Sequence, residues 1–356
     1  MPRTQRSIVV VTLAVASLAL VSCATAPETG PTDAASDVCA RMVTNSGGLE
    51  DRSFNQSSWE GLQAAEAEYG IEAEAIVSTG ETDLAPNVAQ AVDSDCELIV
   101  TVGWELAEPT TDQASKNPDL DFVIVDETVE GENIKPVVFD TAQASFLAGY
   151  LAAGVSKTGV VATFGGGNQP PVTLFMDGFV DGVAKYNEVH GTKVRALGWD
   201  KAKQDGAFTG DFEDVNKGKT LTQGFIDQGA DVILPVAGQV GEGSAAAALE
   251  HDGVSVIWVD SDGYETLSVE YRPVILTSVL KNTQDAMVEI VGDVVGDEFT
   301  NDPYIGSLAN GGVEIAPYHD LAPLVSEELD AEIEGLRQEI ISGDLMVDSP
   351  SAPQRS

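Results

Sequence analysis

The chain has 356 residues, with 58 acidic and 18 basic side chains and a formal net charge of −40. A surface this acidic repels nucleic acid and anionic lipid headgroups, so no nucleic-acid partner is expected and any membrane attachment must come from something other than the folded body. The 3 histidines and 3 cysteines recur at no metal-ligand interval, so no metal, cofactor or His-based catalytic residue is expected.

Arg3 and Arg6 precede an apolar run over residues 8–21 that closes on Leu20-Val21-Ser22-Cys23. The run falls short of the roughly 20 residues a membrane-spanning helix needs, and its basic start and small-residue end read as an export signal over residues 1–22. Leu-Val-Ser-Cys resembles the lipobox of bacterial lipoproteins, in which the cysteine, here Cys23, is acylated and becomes the new N-terminus. Residues 24–37 hold no large apolar side chain, so 23–37 reads as a flexible tether. Removing residues 1–22 takes away two positive charges and no negative ones, which moves the net charge from −40 to −42. About 320 residues then remain, too many for one ordinary core and suited to two lobes.

Short β-branched runs over 40–44, 72–77, 98–102, 122–125 and 137–139 alternate with helical patterns such as "SFNQSSWEGLQAAEAEY". A second series follows at 160–164, 194–197, 232–235, 254–259 and 274–277. This alternation is the signature of parallel βαβ units, and two sets imply two doubly wound lobes. The stretches "DCELIVTVGWELAE" and "GADVILPVAGQVGEG" echo one another in their order of acid, apolar run, Val, Gly and acid. After residue 277 come a helical pattern, the strand-like "GGVEIAP" and the helix "SEELDAEIEGLRQEII". In two-lobed α/β folds such segments cross between lobes and widen the hinge. The expected division is 38–140 plus 278–306 for the N-terminal lobe and 141–277 plus 307–349 for the C-terminal lobe.

Cys39 and Cys96 each lie just before an apolar run. If those runs are neighbouring parallel strands, the two thiols come within disulfide reach, and export permits the bond. Two separate buried thiols are the alternative.

In an open parallel sheet, ligands sit outside the carboxyl ends of the strands. The residues just past the expected strands are Asn45, Gly103, Trp104, Asp126, Gly165–Gly167, Gly198, Trp199, Asp200, Gly238, Asp260, Asp262 and Lys281. The histidines, His190, His251 and His319, fall in expected helix ends or loops and read as surface residues. The glycine-rich stretch over 238–249 has the wrong order for a dinucleotide loop and would turn Glu242 toward the phosphate, so it reads as a tight turn into a helix. What remains is a binding protein for a small, nearly uncharged ligand with a flat face and several hydroxyls. Aromatic stacking is worth about 1–3 kcal/mol per base, and carboxylates accept hydrogen bonds from vicinal hydroxyls. Plainer roles compete at every position. Phe54 could staple a helix start, Phe212 could be core, Asp126 and Asp260 could be N-caps, and Lys281 could pair at the surface. Trp104 and Trp199 could line the cleft or fill the seam between lobes.

"GGLEDRSFNQSSWEGL", "SFLAGYLAAGVSKTG", "GWD…GAFTGDFEDVNKGK", "GADVILPVAGQVGEG", "VIWVDSD" and "ILTSVLKN" together resemble the basic membrane protein family of lipoprotein receptors. The resemblance runs from about residue 38 to about residue 345. It implies a type I periplasmic-binding-protein fold, α/β, with two doubly wound parallel-sheet lobes and a multi-strand hinge. It also implies a receptor lipid-anchored on the extracytoplasmic face of the cell membrane, which passes a nucleoside to an ABC transporter permease. Carried over position by position, it places the base between Phe54 and Phe212, with Asn55 and Asp126 beside it and Gly238, Asp260 and Lys281 on the ribose. One position departs: Asn45 stands where the family has Asp. An amide both accepts and donates, which suggests a shift toward bases with an acceptor at that edge, such as adenosine or cytidine. The expected receptor is monomeric and has no catalytic activity. A sugar or polyol receptor, a nucleoside-cleaving surface enzyme and an adhesion lipoprotein are the alternatives.

Overall fold

The computed structural model describes residues 38–353, so the expected export signal, the tether and Cys23 lie outside the described residues. The chain lays down β1 (Cys39–Thr44), α1 (Phe54–Tyr69), β2 (Glu72–Ile76), α2 (Glu81–Val92), β3 (Leu98–Val102), α3 (Ala107–Lys116), β4 (Asp121–Val125) and β5 (Ile134–Phe139). It continues through α4 (Thr141–Val155), β6 (Val160–Gly165), α5 (Pro170–His190), β7 (Arg195–Leu197), β8 (Trp199–Asp200), β9 (Asp205–Gly206) and α6 (Val215–Ile226). Next come β10 (Val232–Val236), α7 (Glu242–Leu249), β11 (Ser255–Asp260), α8 (Gly263–Thr266) and β12 (Ile275–Lys281). Last are α9 (Thr283–Val295), β13 (Tyr304–Gly306), β14 (Val313–Ile315) and α10 (Glu327–Ser342).

Two six-stranded sheets result, with orders β13-β5-β4-β3-β1-β2 and β14-β12-β11-β10-β6-β7. Among the described residues their ladders are parallel except β12–β14, and the small β8–β9 ribbon is antiparallel. The central strands are apolar on both faces, as a sheet covered by helices on both sides requires: β3 and β10 are buried throughout. In the two orders β1 to β5 correspond to β6, β7, β10, β11 and β12. The echoing stretches of the sequence are therefore the same unit, β3 into α3 and β10 into α7.

Backbone continuity takes the chain from the first sheet to the second after β5, back after β12, and across once more between β13 and β14. These passages are tied to each other, since the Asp140 N–H donates to Gly306 O at 2.8 Å and the Asn282 N–H to Gly312 O at 2.9 Å. Residues 278–281, expected in the N-terminal lobe, instead complete β12 in the C-terminal sheet, because pairing with β11 continues to Leu280 and with β14 to Lys281. The sequence reading also missed β13 and the β8–β9 ribbon, each too short to show a periodicity.

Cys39 and Cys96 are bonded, with Cα atoms 5.0 Å apart. The reason is the register: Ala40 of β1 lies opposite Leu98 of β3, which puts both thiols at the N-terminal end of these neighbouring strands.

Candidate functional site

The carboxyl ends of both sheets open onto one cavity. Asn45, Phe54, Asn55, Asp126, Phe212, Gly238, Asp260 and Lys281 all line it. Every ligand-contact residue expected from the sequence is thus brought to one place.

Phe54 is held there by the loop before α1. The Asp51 carboxylate accepts from the backbone N–H groups of Ser53 (3.1 Å), Asn55 (2.8 Å) and Gln56 (3.1 Å). It thereby satisfies donors at the helix start that the Ser53 hydroxyl leaves open. Burial pushes the Asp51 carboxyl above its usual range, its three backbone donors oppose the rise, and Asp260 adds to it. Phe212 reaches the cavity from the other lobe, and its ring packs against Gly166, where any Cβ would fall 2.3 Å from a ring carbon. Gly238 beside it adopts φ +52°, a conformation open to glycine without strain.

Asp126 and Asp260 are neither helix caps nor solvated. Both take left-handed backbone conformations, at φ +66° and +67°, just past β4 and at the end of β11. Lys281, at the end of β12, has a side chain only 4 % exposed and donates to Asp126 Oδ2 at 2.6 Å, with Asp260 Oδ1 at 3.5 Å. The surface ion pair considered for it is therefore ruled out. Its ammonium also stands over three rings, Phe54 at 4.9 Å, Phe175 at 5.5 Å and Phe139 at 5.8 Å from their centroids. Burial works against the ammonium, and the two carboxylates outweigh it and hold Lys281 protonated above the usual lysine range. Burial likewise pushes Asp126 upward, with Lys281 pulling it back.

Asn45 does not stand free to meet a ligand with both ends of its amide. Its Oδ1 accepts from Asn55 Nδ2 at 2.7 Å and from the Gly47 N–H at 3.1 Å. Of the tryptophans, Trp104 lines the cavity mouth and is 39 % exposed. Trp199 is buried within the C-terminal lobe, where its Nε1 donates to Asp177 Oδ1 at 2.8 Å. None of the histidines lines the cavity. His190 is exposed, as the sequence suggests, and pairs with Glu332 at 3.0 Å, whereas His319 is half-buried and pairs with Asp262 at 2.7 Å against the Tyr264 ring.

The lobes touch across the cavity mouth. Arg52 Nη1 donates to Thr266 O at 2.9 Å, and Arg52 O accepts from Ser261 Oγ at 2.8 Å. The Ser53 hydroxyl donates to Asp260 Oδ2. Sequence reasoning missed Asp51, Glu105, Gln169 and Phe175. Glu105 follows directly on Trp104 past β3, so the rule that found Trp104 would have reached it one residue later.

Residues 39–350 match the family described as "ABC transporter substrate-binding protein PnrA-like". The chain belongs to that family. Its members bind a substrate for an ABC transporter. The "ABC transporter nucleoside-binding protein BmpA" of Lactococcus lactis is 31% identical over 97% of this chain and 99% of its own length. The "CD4+ T-cell-stimulating antigen" of Listeria innocua is 29% identical over 90% of each chain. Among solved structures, an ABC transporter solute-binding protein from Aeropyrum pernix K1 superposes with a TM-score of 0.78 at 23% identity, over 88% of this chain and 94% of that one. This last likeness speaks for the periplasmic-binding-protein fold alone.

Proposed function

We propose that the chain is a nucleoside receptor, most fitted to purine nucleosides, which closes on its ligand and presents it to the permease of an ABC transporter. The observation that carries this reading is a single cavity to which Phe54 and Phe212 each contribute a ring from opposite sheets, with Lys281 bridging Asp126 and Asp260 beside them. The rings offer stacking faces to a planar heterocycle, and the two aspartates with the ammonium match the vicinal hydroxyls of a pentose. Because each lobe supplies half of these contacts, the ligand favours the closed form by its differential affinity for it.

Charge narrows the ligand further. Asp51, Glu105, Asp126 and Asp260 line the cavity, and Lys281 is the lining cation among the described residues, already engaged by two of those acids. A phosphate would meet acids without a free counter-charge, so nucleotides are excluded while neutral nucleosides are accepted. The receptor is tethered through acylated Cys23 to the extracytoplasmic face of the membrane, in keeping with the Leu-Val-Ser-Cys stretch.

Calorimetry with a nucleoside, its 5′-monophosphate, ribose alone and the free base tests the reading. Saturable binding of the nucleoside is expected, with the monophosphate excluded and ribose much weaker. Ribose binding as tightly as any nucleoside would mark a sugar receptor instead. Release of free base on incubation, followed by chromatography, would mark an enzyme.

A further inference from the structure

Among the described residues, three buried side-chain oxygens that belong to the cavity lining have no hydrogen-bond partner: Asn55 Oδ1, Glu105 Oε2 and Gln169 Oε1. Leaving a buried acceptor unmet costs about 1–3 kcal/mol, so three of them around one space describe a ligand that brings donors. Two have a settled orientation. Asn55 Nδ2 donates to Asn45 Oδ1 at 2.7 Å and to Asp51 Oδ2 at 3.1 Å, which leaves Oδ1 as the unmatched atom. Glu105 is a carboxyl and has no amide ambiguity.

These two acceptors are neighbours through Asn45. Its Oδ1 faces Asn55, while its Nδ2 and Glu105 Oε2 crowd the same bare Cα of Gly103: a Cβ there would lie 3.1 Å from the first and 2.8 Å from the second. Asn45 therefore stands between Asn55 and Glu105. A rim of acceptors disfavours adenine, whose amine sits beside a bare ring nitrogen that would face an oxygen lone pair. Hypoxanthine offers one ring N–H. Guanine offers a ring N–H beside an exocyclic amine, two parallel donors that match a carboxylate in the two-pronged manner that makes such contacts selective.

We propose that Glu105 is the specificity-determining residue of this cavity, reading the paired donors of a guanine-type base while Asn55 Oδ1 takes a further N–H. The inference rests on the nucleoside reading above and deepens it. It also replaces the preference for adenosine or cytidine suggested by Asn45, whose donor end, Nδ2, lies beside the Glu105 carboxyl. Burial pushes the Glu105 carboxyl above its usual range, its own backbone N–H and the Asn45 amide oppose the rise, and Asp126 and Glu81 add to it. Since the ionised form presents two acceptors, guanosine binding weakens on acidification from a higher pH than an ordinary glutamate would require.

The test is calorimetry of the wild-type protein and Glu105→Gln with guanosine, inosine and adenosine. Wild type is expected to prefer guanosine over inosine by about tenfold or more, with adenosine weakest, because a site built to bond a donor rejects the analogue that lacks it. In Glu105→Gln the guanosine advantage collapses while inosine binding persists, and the acid limb of guanosine binding moves down in pH. A guanosine-to-inosine ratio unchanged by the substitution overturns the proposal and leaves the nucleoside reading standing. Loss of all three ligands together also overturns it, since Glu105 would then hold the site up without discriminating. Wild-type protein that binds none of the three removes both readings.

Discussion

At the ends of β4 and β11 the two lobes hold the same residue in the same backbone state, Asp126 at φ +66° and Asp260 at φ +67°, and both face Lys281. One strand over, the lobes diverge. Past β3 the N-terminal sheet presents Gly103 and Glu105, with Asn45 past β1 next to them, whereas past β10 the C-terminal sheet presents Gly238, with Phe212 lying on Gly166 at the end of β6. The shared fold keeps the strand-end geometry and the paired acids. The unshared positions differ: past β3 stand Trp104 and Glu105, whereas beside β10 the glycines Gly166 and Gly238 let the Phe212 ring lie against the backbone. On the proposed reading, specificity is concentrated in the N-terminal rim and anchoring is common to both.

The most severe way to break this symmetry is to remove what joins its two halves. Lys281→Met leaves two buried carboxylates unpaired, and breaking a buried pair by deleting one partner costs about 3–5 kcal/mol. A loss of that size in urea denaturation and no measurable nucleoside binding are expected. Wild-type stability in the variant would mean that the acids and the ammonium are not coupled. The pH dependence carries the same signature. Because Lys281 is held protonated above the usual lysine range, its contribution is complete below that range and is lost as pH rises through the raised value. The wild-type protein should show this alkaline loss, and Lys281→Met should lack it.

A smaller effect separates the two rings. Phe54→Ala and Phe212→Ala should each weaken nucleoside binding by about 1–3 kcal/mol, the worth of one stacked face, and leave ribose binding unchanged. A nucleoside affinity untouched by Phe212→Ala would assign the heterocycle to the N-terminal lobe alone. Least costly is Arg52→Ala at the cavity mouth, which deletes the side-chain bond to Thr266 and keeps the backbone contacts with Ser261. A net hydrogen bond of about 1 kcal/mol predicts severalfold faster release in stopped-flow measurements with little change in association.

Much of this arrangement was legible in the sequence because strand ends are legible. β-branched runs such as 98–102 and 232–235 announced the central strands, and the rule that ligands gather past carboxyl ends picked out Asp126, Asp260 and Lys281. What could not be read was set by neighbours distant in the chain. Glu105 begins a stretch that reads as a solvated helix start, and only the burial of its Oε2 beside Asn45 gives it a role. Asn45 showed its type but not its bonds: Asn55 and Gly47 use its oxygen. The β13 strand is three residues long and takes its place from β5, whose register with Tyr304–Gly306 no local pattern encodes.

The account stands on a heterocycle held between a ring from each lobe, and a crystal structure of the protein grown with guanosine tests that most directly. The base should lie between Phe54 and Phe212 with its donor edge on Glu105 and its pentose against Asp260 and Lys281. A nucleoside bound outside this cavity, or within it with either ring turned away from the base, would contradict the account.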